Sequence, residues 1–150
     1  MKSFPLLIFS LFLLVGCYTD PRKDLAQFKV AGVKERETEY KNVATAYVKA
    51  CKEKDWNTIK YYTSPLTIQN VSEGTLKEIL IEQLSPLLND GTIAWRKWNE
   101  VGLDENYNVG LTFSFKCDGR TFYIDVFEEV YQGNEQLYVL SIRDTRKPKF

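Results

Sequence analysis

Histidine is absent from this 150-residue chain, and cysteine and methionine are scarce, at three and one residues. The lack of histidine excludes Ser-His-Asp and Cys-His catalysis. It also removes the commonest protein ligand for zinc, copper and nickel. A metal site would have to be built from carboxylates alone, and no EF-hand spacing occurs, so no cofactor or metal is indicated. The 20 basic and 20 acidic side chains balance, which gives no reason to expect nucleic-acid binding.

A membrane-spanning run is lacking too. The apolar run at residues 4–15 is shorter than the roughly 20 residues that cross a bilayer as a helix. Its length and the preceding Lys2 are typical of a secretory signal. The run ends in Leu14-Val15-Gly16-Cys17, which resembles the lipobox of bacterial lipoproteins. That resemblance implies that residues 1–16 are a signal peptide and that Cys17 becomes the lipidated first residue.

The same resemblance implies where the protein resides. Two or three acyl chains, palmitate among them, on Cys17 give stable anchoring, so we expect a lipoprotein of the cell envelope held at a membrane. Because Tyr18 rather than aspartate follows the cysteine, the outer membrane is implied for a Gram-negative host. Residues 17–35 are then the lipidated cysteine and a tether. Residues 36–150 form a single domain, long enough for a real core.

Helical periodicity predicts how this domain begins. Residues 36–54 are expected to form an amphipathic helix whose buried stripe is Tyr40, Ala44, Tyr47 and Cys51. Asp55 is a candidate N-cap for a short helix over residues 56–62. Residues 66–68 are expected to be extended. Thr75 and Glu78 match a capping box, and Pro86 should kink or restart the helix that follows.

Alternating apolar residues predict that the rest of the domain is a sheet. The four expected strands cover residues 93–101, 107–117, 120–131 and 136–144. Asp118-Gly119 predicts a two-residue type I′ hairpin. In the second strand the apolar positions, which include Cys117, alternate with polar ones, so one face is expected to be buried.

This order of elements resembles the NTF2-like fold, also called the cystatin-superfamily cone. The segment AYVKACKEKDWNTIKYYTSP, residues 46–65, carries the resemblance together with the capped helix and the Trp-rich strand that follow it. The resemblance implies an α+β domain with N-terminal helices packed on a curved four-stranded antiparallel sheet around a conical pocket. The family contains isomerases, dehydratases and non-catalytic partners, so the fold alone does not choose a function.

Two cysteines remain besides Cys17. Cys51 and Cys117 are both expected to face the core. They could form a disulfide that pins helix to sheet and stabilises the domain by about 2–4 kcal/mol. They could equally be two buried, reduced thiols that pack as small apolar side chains.

Asp125 is the candidate catalytic residue. It lies in the apolar run Phe122-Tyr123-Ile124-Asp125-Val126-Phe127, and a desolvated carboxylate can act as a general base. The tyrosines that could polarise a substrate carbonyl beside it are Tyr47, Tyr61 and Tyr62. The competing interpretation is an ion pair across the strands, for which the available partners are Arg143, Lys116 and Arg96.

Aromatic residues crowd the expected sheet: Trp95, Trp98, Tyr107, Tyr123, Phe127, Tyr131 and Tyr138. They indicate a partner interface, a ligand pocket or ordinary sheet core. Glu128 and Glu129 are expected to be solvated. We therefore expect a non-enzymatic, lipid-anchored module that binds a protein partner or a small apolar ligand and that could dimerise through its sheet. The alternative is a small acid/base enzyme of the isomerase or dehydratase type.

Overall fold

The computed structural model describes residues 32–89, 91–96, 100–103 and 109–144. Helices come first and antiparallel strands follow, which confirms the expected α+β class. The helical part consists of α1 (Glu37–Glu53), α2 (Trp56–Tyr62), α3 (Pro65–Val71), α4 (Glu73–Lys77), a π-helical stretch (Glu78–Leu84) and α5 (Ser85–Asn89). The strands are β1 (Ala94–Trp95), β2 (Glu100–Leu103), β3 (Val109–Cys117), β4 (Arg120–Tyr131) and β5 (Asn134–Asp144). The predictions for the signal peptide and Cys17 lie outside the described residues, as do those for Trp98, Tyr107 and the side chain of Tyr131.

Helix α1 buries the stripe that its sequence places on one face. Tyr40, Ala44, Tyr47 and Cys51 are each at most 2% exposed, which confirms the predicted stripe. The helix ends where Lys54 adopts a left-handed conformation with φ of 58°, a common way for a helix to stop. Val33, inside the predicted tether, is also buried in the core. The folded part of the chain therefore includes residues before α1.

Helix α2 begins as predicted, because the Asp55 carboxylate accepts a hydrogen bond from the backbone N–H of Thr58 at 3.2 Å. The prediction of an extended piece at residues 66–68 is wrong, since these residues lie in α3. The reason is Pro65, which opens α3 in its first turn. There the missing N–H is not needed, and the fixed φ suits a helix.

The last helical segment begins earlier than predicted. Ser72 caps it by accepting a hydrogen bond from the backbone N–H of Thr75, so the prediction that Thr75 is the cap is wrong. The helix then widens into a π-helical turn, in which the Ser85 N–H donates to the Leu80 carbonyl. The α-helical geometry resumes at Ser85, one residue before Pro86. The helix thus changes geometry next to Pro86, where the sequence predicted a kink or a restart, but it runs on without a break.

The sheet is four strands wide although it contains five strands. β1 and β2 follow each other along the same edge of β3, and β4 and β5 continue the sheet on the other side. All pairings are antiparallel. Two short strands thus stand where the sequence predicted one strand over residues 93–101.

Two tight turns join the long strands. Asp118 and Gly119 have φ of 46° and 71°, and this pair of positive values confirms the type I′ turn. Gln132 and Gly133 repeat the arrangement with φ of 50° and 80°. The second connection is therefore shorter than the gap of residues 132–135 between the predicted third and fourth strands.

One face of the sheet, the inner face, packs against α1. Its strand residues belong to the same buried cluster as the α1 stripe: Leu111, Phe113, Phe115, Cys117, Phe122, Ile124, Val126 and Val139. Trp95 joins this face, with its ring centroid 5.0 Å from that of Phe115. Because successive side chains of a strand point to opposite sides, the residues between these positions form the outer face.

Candidate functional site

Neighbouring positions on the outer face are set by the strand register. One row of directly opposed residues runs from Glu100 on β2 through Thr112, Asp125 and Ser141 on the three long strands. The next row places Ser114 opposite Tyr123 and Tyr123 opposite Arg143. Arg96 extends that row beyond β3, because its backbone N–H donates to the Ser114 carbonyl at 2.9 Å. These two rows contain the candidate catalytic residue and two of the three basic residues predicted as its partners.

The Asp125 carboxylate is surrounded by donors. Thr112 Oγ1 donates to one oxygen at 2.6 Å, while Ser141 Oγ and the Arg143 guanidinium donate to the other. The Asp125 side chain is 11% exposed and that of Arg143 43%. The guanidinium also lies over the Tyr123 ring, 5.6 Å from its centroid. Asp125 is therefore held in a cross-strand ion pair, and its partner is Arg143 rather than Lys116 or Arg96.

The tyrosines predicted to assist Asp125 lie elsewhere. The Tyr47 hydroxyl is buried behind the inner face and shares a hydrogen bond with Thr63 Oγ1 at 3.0 Å; burial raises the pKa of Tyr47. Tyr61 is exposed on α2, and its ring stands edge-to-face with that of Tyr62. The structure does not bring these hydroxyls to the Asp125 carboxylate.

Glu128 is a buried carboxylate that sequence reasoning placed in solvent, and that expectation is wrong. Arg36 Nη1 donates to one of its oxygens at 3.1 Å, and the Tyr40 hydroxyl donates to the other at 3.3 Å. Burial first, and then the Glu128 charge, raise the pKa of Tyr40. Strict alternation from Ile124 and Val126 assigns Glu128 to the inner face, and this is the signal in the sequence that points to its burial.

Glu129 is buried as well, so its expected solvation is also wrong. Ser64 Oγ lies within hydrogen-bond distance of both carboxylate oxygens. The Ser64 backbone N–H donates to the Val139 carbonyl at 3.1 Å, next to a parallel bridge between Thr63 and Val139. The α2–α3 junction thereby covers part of the β5 edge, which would otherwise present unpaired backbone groups.

Both cysteines of the domain face the core, as expected, and both are free thiols. Burial raises the pKa of Cys51 to about 12, which keeps the thiol protonated and unreactive near neutral pH. Cys117 Sγ lies 3.8 Å from the Leu87 carbonyl and 3.9 Å from that of Leu88. The second thiol therefore sits between β3 and the end of the last helix.

The described members of the aromatic group do not form an exposed patch. Trp95 packs in the inner face, Phe127 and Tyr138 are buried, and Tyr123 is half-buried beneath Arg143. The large apolar side chains that are exposed belong mainly to the helices: Tyr61, Leu66, Val71, Ile79 and, on β4, Val130. Of the interpretations of the aromatic group, sheet core fits these four residues best.

Within the part of the chain that the structure describes, no cluster of three or more acidic or cysteine side chains could hold a metal ion. Nor does any helix in that part have the length and apolarity to cross a membrane. No protein-family model, curated protein or solved structure matches the chain.

Proposed function

We propose that the chain is a lipid-anchored lipoprotein of the cell envelope. The observation that carries the proposal is the junction Leu14-Val15-Gly16-Cys17 at the end of a short apolar run. Its lipobox pattern makes Cys17 the attachment point, and more than one acyl chain there would hold the protein stably at a membrane.

We further propose that the domain has the NTF2-like fold. The order of α1, a short α2 and a capped later helix before an antiparallel sheet supports this. So does the packing of α1 against the inner face of a sheet four strands wide. A shift of register between Asp125 and Val126 marks a bulge between β4 and β5, and bulges bend a sheet in the way that a cone requires.

The domain is proposed to bind a protein partner or a small apolar ligand rather than to catalyse a reaction. The acid/base alternative needs Asp125 as a free general base. Its carboxylate instead accepts from three donors, one of them the Arg143 guanidinium. A carboxylate whose oxygens are already engaged must break these bonds before it can take a substrate proton.

The anchor is tested by mass spectrometry of the full-length chain expressed in a bacterium. We expect the mature protein to begin at Cys17 and to carry a diacylglyceryl mass there. A Cys17→Ser variant should keep the signal peptide, whereas the adjacent Tyr18→Ser variant should mature normally. Residues 1–16 still attached to the wild-type chain, or an unmodified Cys17, would overturn the proposal.

A further inference from the structure

The end of the outer face nearest the β3–β4 turn carries three exposed basic side chains. One row runs from Arg96 through Ser114 and Tyr123 to Arg143, and the next row towards the turn contains Ala94, Lys116 and Thr121. These described residues include the three exposed cations and no carboxylate, while Asp118 is exposed in the turn itself. Arg143 reaches Asp125 in the adjoining row, whereas no ion pair joins Arg96 or Lys116 to another described residue. We call Arg96, Lys116, Tyr123 and Arg143 the basic strip.

The basic strip is broad. Arg96 and Arg143 stand at opposite ends of one row, three strand spacings or about 14 Å apart. Lys116 lies two residues along β3 from Ser114, about 7 Å away on the same face. Cations attached this far apart on a sheet are spread over an area larger than one small anion. They match an array of separate negative groups spread over a surface.

We propose that the basic strip docks onto anionic lipid headgroups of the membrane that holds the chain. The inference rests on the proposed lipid anchor. Each basic residue near an anionic lipid surface favours the docked state about fivefold. Tyr123 adds an aromatic ring, a type of side chain that sits well at headgroup level. Residues 17–31 could span at most about 50 Å if extended, which is long enough for the domain to present this face to the bilayer.

The test uses the full-length chain reconstituted into liposomes of phosphatidylcholine, or of an equal mixture of phosphatidylcholine and phosphatidylglycerol. Lysine amines are labelled with an amine-reactive ester, and the labelled sites are quantified by mass spectrometry. We expect labelling of Lys116 to fall about fivefold or more in the anionic liposomes. Lys49, whose side chain is 70% exposed on α1 behind the inner face, should label equally in both. Salt at about 1 M, where charges are screened within about 3 Å, should restore the labelling of Lys116.

A charge reversal at Arg96 tests whether the basic strip docks, and it leaves the ion pair between Asp125 and Arg143 unchanged. Arg96→Glu should abolish most of the protection of Lys116, while Lys49→Glu should leave it unchanged. Equal labelling of Lys116 in both kinds of liposome, or protection that survives Arg96→Glu, would overturn the docking proposal.

Flotation of the same samples separates this proposal from the anchor. A chain that floats with both liposomes but labels equally at Lys116 keeps its anchor and rules out docking. A chain that floats only with anionic liposomes, and only at low salt, supports docking and rules out the anchor.

Discussion

Ser64 Oγ lies 2.9 and 2.8 Å from the two carboxylate oxygens of Glu129. The two residues are 65 positions apart in the chain and both are buried. Since the backbone of Ser64 also bonds to Val139, the α2–α3 junction is fixed to the sheet by both its main chain and a side chain.

Replacing Ser64 with alanine should destabilise the domain by about 1–3 kcal/mol, because a buried carboxylate loses a hydrogen-bond donor. Urea unfolding followed by circular dichroism measures the loss. Gln69→Ala, at an exposed position of the neighbouring α3, should change the free energy of unfolding by less than about 0.5 kcal/mol. Equal stability of the Ser64→Ala variant and the wild type would contradict this role.

Arg36 ties the start of α1 to β4 through Glu128. Arg36→Ala should cost about 1–2 kcal/mol, because the buried carboxylate loses a charged partner. The cost stays below that of a fully buried pair because the arginine is 44% exposed. The same change in a Glu128→Gln background should cost less, and the difference in a double-mutant cycle measures the coupling.

Glu39 provides the control for that cycle. It also pairs with Arg36, at 2.9 Å, but its side chain is 58% exposed. Glu39→Ala should therefore leave the free energy of unfolding nearly unchanged. If Glu39→Ala costs as much as Arg36→Ala, Arg36 stabilises the domain through its pair with Glu39 on the helix surface and not through the buried Glu128 carboxylate.

Local patterns predicted the elements whose shape depends on neighbours in sequence. The stripe of α1, the Asp55 cap and the bounds of β4 follow from spacing and turn chemistry. Where two local signals compete, the prediction went wrong. Pro65 can end one helix or open the next, and Ser72 and Thr75 can each cap a helix. Contacts with the rest of the fold decide such cases.

The candidate site could be predicted only in part, because the partners of its carboxylates are distant in the chain. Three basic residues were available as partners for Asp125, and it is the register of β4 against β5 that brings Arg143 alone into contact. Glu128 looks like a strand-end charge until Arg36 and Tyr40 are placed over it. Partners that are distant in the chain are what offset the desolvation of a buried carboxylate.

Gly110 has to be a glycine because the neighbouring strand β4 lies against it, with Phe127 directly opposite. A Cβ at this position would lie 2.5 Å from the Phe127 ring and 2.5 Å from the Val126 carbonyl oxygen. Gly110→Ala should destabilise the domain by about 1–3 kcal/mol, since the backbone oxygen cannot move aside easily. Gly74 in α4 is the matched control, because a Cβ added there would have no other atom within 4 Å.

Gly74→Ala should stabilise the domain by about 0.5–1 kcal/mol through helix propensity and a less flexible unfolded chain. Thermal unfolding of the Gly110→Ala and Gly74→Ala variants beside the wild type measures both effects. A Gly110→Ala protein that melts at or above the wild-type temperature would show that the strands can separate at no cost.

Stability should fall at alkaline pH. Burial raises the pKa of Cys51 from 9.0 to about 12, and burial also raises the pKa of Tyr40 and Tyr47. The folded state holds these protons more tightly than the unfolded state. Their contribution is therefore complete below about pH 9 and is lost as the pH rises towards 12. Each such group steepens the loss by up to about 1.4 kcal/mol per pH unit.

Urea unfolding between neutral pH and pH 11 measures this dependence, and a Cys51→Ala variant isolates the thiol. The variant loses some packing at every pH, so the decisive quantity is the slope and not the absolute free energy of unfolding. Above pH 9 its stability should decline less steeply than that of the wild type, because the unfolded chain then has no Cys51 proton to release. Parallel slopes would mean that the Cys51 thiol ionises alike in the folded and unfolded states, and hence that it is not sealed in the core between α1 and the sheet.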